Sequence, residues 1–254
     1  MVRALPNSLG QLHTCPGEIL EMASLYYEIL FTSDPLTQDV HDARDEVWSF
    51  VGPVVSKDMQ TAIMRPFSLR EWSGRARRSI LDNVVTFYEA VEWARQTEQP
   101  IAIMLLDFEK AYDRVDWGFL QGTLSRLGFP DAWIRGISAL YRSATAELTI
   151  GGHVGRTFTL SRSVKQGCPL APYLFLFFAE TIALYLRGWT PQIQGLHMPI
   201  DGSFDLVELQ YVDDTMIFCQ YDSDTLDRLQ SALCFLLCQW FLDQLAQVVT
   251  NRKP

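Results

Sequence analysis

The sequence predicts an α+β fold, and three observations carry that prediction. Residues 101–106, IAIMLL, are a short unbroken apolar run, the signature of a buried strand. Residues 209–219, LQYVDDTMIFC, set two adjacent carboxylates between two apolar segments, the pattern of a hairpin with a polar tip. Around these strands lie long segments with apolar residues every three to four positions, the period of an amphipathic helix.

Residues 1–17 show no periodicity and read as a loose tail. Glu18 to Phe31 carries Ile19, Met22, Leu25, Tyr26 and Ile29 on one helical stripe, and Ser33-Asp34-Pro35 breaks it. Val40–Val51 and Ser56–Met64 read as two shorter helices, with Ser56 as an N-cap. Arg65 to Arg78 is a basic cluster of five arginines and one glutamate. It reads either as a solvated joint or as a contact to phosphate, which arginine grips well. Ser79 to Gln99 is the clearest helix, with Ile80, Val84, Phe87, Val91 and Ala94 on one face and Pro100 at its end.

After the strand at 101–106, Asp116–Leu127 reads as a helix closed by Gly128, and Pro130 opens a further helix, Asp131–Tyr141. Thr145–Ile150 and Val154–Leu160 flank Gly151-Gly152 and read as a β-hairpin, the glycines supplying positive φ. Gln166-Gly167-Cys168-Pro169 stands at a strand-to-helix passage, where a glycine permits close approach of backbone to a ligand. The most apolar stretch, Pro169–Leu186, is interrupted by Pro172 and Glu180 and reads as a buried helix rather than a membrane span. Gly188–Asp205 holds Pro191, Gly195, Pro199 and Gly202 and reads as a loop with one short extended piece. Asp222–Trp240 is helical, with Leu226, Leu229, Leu233 and Leu236 along one face, and residues 241–254 read as a tail.

The 254 residues are 48% hydrophobic and 20% charged, an ordinary globular balance that accommodates one large or two small domains. A formal net charge of −9 argues against the broad basic surface on which nucleic-acid affinity draws. Five cysteines without a CxxC pair, and four scattered histidines, form no zinc pattern. An odd cysteine count and a start lacking the apolar core of a signal peptide predict an intracellular protein, nuclear or cytoplasmic and not secreted.

The carboxylates carry the chemistry. Asp107 ends a buried strand, where a charge is costly unless a cation or donor sits beside it. Read singly, Asp107 caps a turn as readily as it binds a ligand, and Asp213 and Asp214 suit a solvated turn. Read together they form a constellation suited to magnesium, which takes one or two carboxylates plus substrate phosphates. Two such metals about 4 Å apart stabilise both the attacking and the leaving oxygen of a phosphoryl displacement.

Three blocks in order, DFEKAYD at Asp107–Asp113, KQGCPLAP at Lys165–Pro172 and YVDD at Tyr211–Asp214, resemble the palm of a reverse transcriptase. The type resembled is that of non-LTR (LINE-like) retrotransposons, and GFP at Gly128–Pro130 falls between the first two blocks as it does there. The resemblance covers residues 79 to about 236 well and 21 to 78 loosely. It implies a reverse-transcriptase palm, an antiparallel sheet backed by helices, over residues 79–240. It further implies a helical linker region over 18–78, between tails at 1–17 and 241–254. It implies RNA-directed DNA polymerase activity, with Asp107, Asp213 and Asp214 holding two Mg2+ ions or Mn2+. RNA template, DNA primer and deoxynucleoside triphosphates are the implied partners, with no membrane. Tyr112 holds the place of the aromatic that lies under the incoming sugar and blocks a 2′-hydroxyl by volume. Phe108, Gln166, Gly167 and Arg78 are the other implied substrate contacts.

The chain departs from the family pattern in places. Lys165 stands where arginine is frequent and cannot make a bidentate fork. Val212 stands where alanine is usual, and Ala171 where serine is common. FSLREW passes almost directly to RRSILDNV, which implies an internal deletion near residues 72–78 that removes most of the fingers; of the block there only Arg78 has a counterpart. No GLxxNxxKS-like element follows Trp240, so a truncated chain with fingers and thumb largely missing is expected. The alternative function is a non-catalytic retroelement remnant with at most weak nucleic-acid binding, and a third reading is an unrelated magnesium phosphotransferase.

Overall fold

The computed structural model describes residues 4–6, 10–33, 35–63, 80–106, 110–188, 193–198, 204–211, 214–240 and 248–250. Its N-terminal part holds β1 (Leu5–Pro6), β2 (Leu12–His13), α1 (Pro16–Phe31), α2 (Gln38–Ser49), α3 (Lys57–Ile63) and α4 (Ile80–Gln96). The middle holds β3 (Ile101–Leu106), α5 (Trp117–Arg126), α6 (Asp131–Tyr141), β4 (Thr145–Ala146), β5 (Thr149–Ile150), β6 (His153–Val154) and β7 (Phe158–Thr159). The remainder is α7 (Ala171–Gly188), β8 (Leu196–Met198), β9 (Phe204–Leu206), β10 (Glu208–Tyr211), β11 (Asp214–Gln220), α8 (Ser223–Trp240) and β12 (Val248–Thr250). The mixture of helices and antiparallel strands is the α+β fold that the sequence predicts.

An antiparallel sheet of order β10-β11-β3-β12 is the platform. Side chains alternate across it, as the two-residue period of a strand requires. Ala102, Met104 and Leu106 face a core with Phe119, Phe175, Phe178 and Ile217, while Ile101 and Ile103 face a second core with Ala90, Ala94 and Phe218. Ile101, Ala102, Ile103 and Leu106 are buried on one face or the other, which explains the lack of alternation there, while Leu105 is exposed.

The N-terminal helices are packed onto this body. Arg44 in α2 pairs with Asp116 at 3.0 Å, and Asp116 also caps α5 by accepting from the Phe119 N–H at 2.7 Å. Trp48 stacks on Phe119 with ring centroids 5.2 Å apart and donates its indole N–H to Thr123. The buried Arg162 donates to the carbonyls of Leu30 and Ile29, placing a cation on the C-terminal end of α1 where the helix dipole favours it.

Four local readings change. In residues 1–17, where the sequence predicts a loose tail, β1 pairs with β2, Leu5 opposite His13. In 241–254, where the sequence also predicts a tail, β12 joins the central sheet with Val248 opposite Met104. The Gly188–Asp205 loop contains β8 and most of its partner β9, two extended pieces rather than one, because Leu196 and Met198 have a buried face to fill. The Gly-Gly hairpin splits into two short ladders, β5 with β6 around Gly151 (φ 60°) and Gly152 (φ 86°), and β4 with β7. Among the described residues, no helix is long and apolar enough to cross a membrane.

Candidate active site

The site is built on the β3–β11 pairing. Leu106, the last residue of β3, lies opposite Thr215, and the register runs unbroken to Ile101 opposite Gln220. Asp107 follows Leu106 in the chain, and Asp213-Asp214 precede Thr215. Asp214 opens β11, is exposed, and pairs with Tyr211 at the hairpin end. Asp107, Phe108, Asp213 and Arg78 lie outside the described residues, as do the basic cluster from Arg65 to Arg78 and the deletion expected near 72–78.

Lys110 has a φ of 55°, a left-handed conformation that lets the backbone turn back at once. The Asp113 and Arg114 N–H groups both donate to the Lys110 carbonyl, at 2.8 and 3.0 Å. Tyr112 sits in this turn, half-buried, its ring stacked on Phe175 of α7 with centroids 4.7 Å apart and planes 15° apart. Asp113 beside it is also half-buried, and desolvation pushes its carboxyl above the usual range while the Lys110 charge opposes that.

A second turn is fastened to the first. The Val164 N–H donates to the Tyr112 carbonyl at 2.8 Å, and the Ser163 N–H to the Val115 carbonyl at 2.9 Å. Asp116 and Arg162 form a β-bridge that extends the pairing, and the Trp117 indole N–H donates to the Ser163 carbonyl at 2.7 Å. Beyond Val164 the Cys168 N–H donates to the Lys165 carbonyl at 3.1 Å around Gly167, whose φ is 82°. That is a turn with positive φ at its third position, which favours glycine. It leaves Gln166 and Gly167 exposed at the entrance to α7. Tyr141 packs nearby, and burial pushes its hydroxyl up to about 12, with Cys168 adding to the shift.

Of the residues singled out from the sequence, Tyr112 is thus bonded through its carbonyl to Val164, two residues ahead of Gln166 in the segment that leads into the Gln166–Gly167 turn. Asp214 stands on the neighbouring strand end. Sequence reasoning missed Phe175 and the pairing of 162–164 with 112–116. The aromatic run Tyr173, Phe175, Phe177, Phe178 was a signal for the first; the second joins segments far apart in the chain and has no local signature. Among the described residues, no three His, Cys, Asp or Glu side chains cluster as a metal site, and of the three candidate aspartates only Asp214 is described. The donor chemistry of carboxylates that adjoin, in sequence, two paired strand ends fits a hard divalent cation.

A family model described as "Reverse transcriptase (RNA-dependent DNA polymerase)" matches residues 52–244. The chain is 32% identical over 153 residues to the "Transposon TX1 uncharacterized 149 kDa protein" of Xenopus laevis, covering 60% of this chain and 11% of that protein. It is 29% identical over 133 residues to a "Retrovirus-related Pol polyprotein from type-1 retrotransposable element R2" of Popillia japonica, covering 52% of this chain and 18% of that one. The chain therefore spans less than a fifth of the length of either relative. Among solved structures, telomerase from Candida tropicalis in complex with a fragment of telomeric RNA aligns over 91% of this chain and 36% of that one. Its TM-score is 0.50 and its identity 12%, a likeness of fold.

Proposed function

Because this chain belongs to the reverse transcriptase (RNA-dependent DNA polymerase) family and carries a reverse transcriptase domain of the non-LTR retrotransposon type, we propose that it extends a DNA primer on an RNA template by magnesium-dependent nucleotidyl transfer. The observation that carries the reading is the Leu106–Thr215 register, which sets the strand ends adjoining Asp107 and Asp213-Asp214 side by side. Residues 79–240 form the palm in this reading and residues 18–78 the helical segment ahead of it.

Asp107, Asp213 and Asp214 would hold two Mg2+ ions, or Mn2+. Bound there, the ions would lower the pKa of the primer 3′-hydroxyl and offset charge on the departing pyrophosphate. Gln166, with amide donors and an acceptor, orients the incoming nucleotide, and Gly167 lets its own backbone approach that nucleotide closely. Arg78 contributes a guanidinium to the triphosphate. Phe108 and Tyr112 bound the sugar, and the bulk of Tyr112 excludes a 2′-hydroxyl. The protein's part is placement and fixed charge, which in phosphoryl transfer supplies most of the rate.

The net charge of −9 favours a second reading, a non-catalytic domain with at most weak nucleic-acid binding. Primer extension on poly(rA)–oligo(dT) with magnesium separates the two. Incorporation that disappears in Asp213→Asn supports the polymerase; no incorporation, or incorporation indifferent to the substitution, supports the second reading. A transcript spanning codons 72–78 tests the proposed internal deletion.

A further inference from the structure

We infer that Phe175 is a positioning residue for Tyr112 and thereby sets how strictly the site rejects ribonucleotides; this rests on the polymerase reading. The stack between the two rings, 4.7 Å between centroids and 15° between planes, is nearly parallel. Phe175 is 1% exposed and cannot yield. Behind it Phe178 lies at 5.9 Å, Phe119 meets Phe178 edge-on at 5.7 Å, and Trp48 stacks on Phe119 at 5.2 Å. A ladder of rings thus runs from the candidate sugar site to α2.

A residue that selects by volume works only if it holds its place against the group it excludes. The Tyr112 backbone is held by the Val164 N–H at 2.8 Å, and its ring lies flat on Phe175. That buried ring opposes rotation of the side chain, because tilting Tyr112 would give up the stacked contact. Phe175 opens the second turn of α7, the helix that follows the Gln166–Gly167 turn. The height of Tyr112 is therefore set by the same helix that carries the nucleotide-facing turn. An aliphatic side chain at 175 keeps the core apolar and removes the flat support.

The test compares kcat/KM for dGTP and GTP on poly(rC)–oligo(dG). Phe175→Leu is expected to lower the dGTP/GTP ratio at least about threefold, the scale of a lost aromatic pair. Phe175→Tyr keeps the ring and is expected to keep the ratio. Phe178→Leu removes a ring one layer further back and is expected to lower the melting temperature while shifting the ratio less than Phe175→Leu does. If Phe175→Leu does not fold, Phe175→Met, closer in volume and still without a ring, takes its place. A folded Phe175 variant with an unchanged ratio overturns the inference, as does an equal shift in Phe178→Leu. A wild-type chain that incorporates neither nucleotide overturns the polymerase reading and this inference with it.

Discussion

Leu106 and Thr215 are cross-strand partners, the last residue of β3 opposite the second of β11. Their chain neighbours are the acidic residues Asp107 and Asp214, so the two strand ends that adjoin these residues, distant in sequence, are paired in one sheet.

If those carboxylates share a cation, their contributions to binding are coupled. Mn2+ titration followed by electron paramagnetic resonance is expected to show Asp107→Asn and Asp213→Asn each weakening binding at least about tenfold. The double variant should weaken it little further. Two losses that add in full would mean separate sites.

Arg44 and Asp116 form a largely buried pair at 3.0 Å, with side chains 10% and 18% exposed. Asp116→Ala removes both the partner of a buried cation and the cap on the Phe119 N–H. Urea unfolding is expected to show a loss of about 3 kcal/mol. Asp116→Asn, which keeps a cap, should lose less. A loss below about 1 kcal/mol for the alanine variant would show that α2 is not held to α5 by this pair.

Gly122 lies under the Trp48 ring, and a Cβ there would come within 2.3 Å of its Cζ2 atom. Gly122→Ala is expected to destabilise the fold by about 1–3 kcal/mol despite alanine's better helix propensity. Trp48→Leu in that background should recover part of the loss. Thermal melts of the two single variants and the double variant measure this, and strictly additive effects would contradict the close contact.

Burial raises the Asp113 carboxyl pKa above its ordinary value. A raised folded-state pKa favours the protonated form, so its contribution to stability is fully present below the unfolded value. It is lost as pH rises through the folded value. Asp113→Asn is therefore expected to be more stable than wild type near pH 7. The gap should close once pH falls below about 4, the unfolded carboxylate range. Chemical denaturation across pH 3 to 8 reads the gap; a difference constant with pH would remove burial as its cause.

Elements whose signals are local were legible in the sequence. The strand Ile101–Leu106 has the bounds its apolar run predicts, and Asp131–Tyr141 starts behind Pro130 and ends as read. Ser56 caps α3 by accepting from the Met59 N–H, as its position before the helix suggests. Val248–Thr250 was illegible because a three-residue β-branched segment is too short to show a period and becomes a strand by pairing with β3. Leu5–Pro6 and Leu12–His13 are two residues each, too short for any period to register.

The candidate site divides the same way. The order and chemistry of DFEKAYD, QGCP and YVDD were determined by the sequence itself, because residue type, spacing and turn-forming glycine are local properties of the chain. That Tyr112 rests on Phe175, that Val164 is bonded to Tyr112, and that Leu106 meets Thr215 were decided only by the tertiary structure. Those relationships join residues whose separation along the chain carries no period, and they arise from burying both faces of one sheet at once.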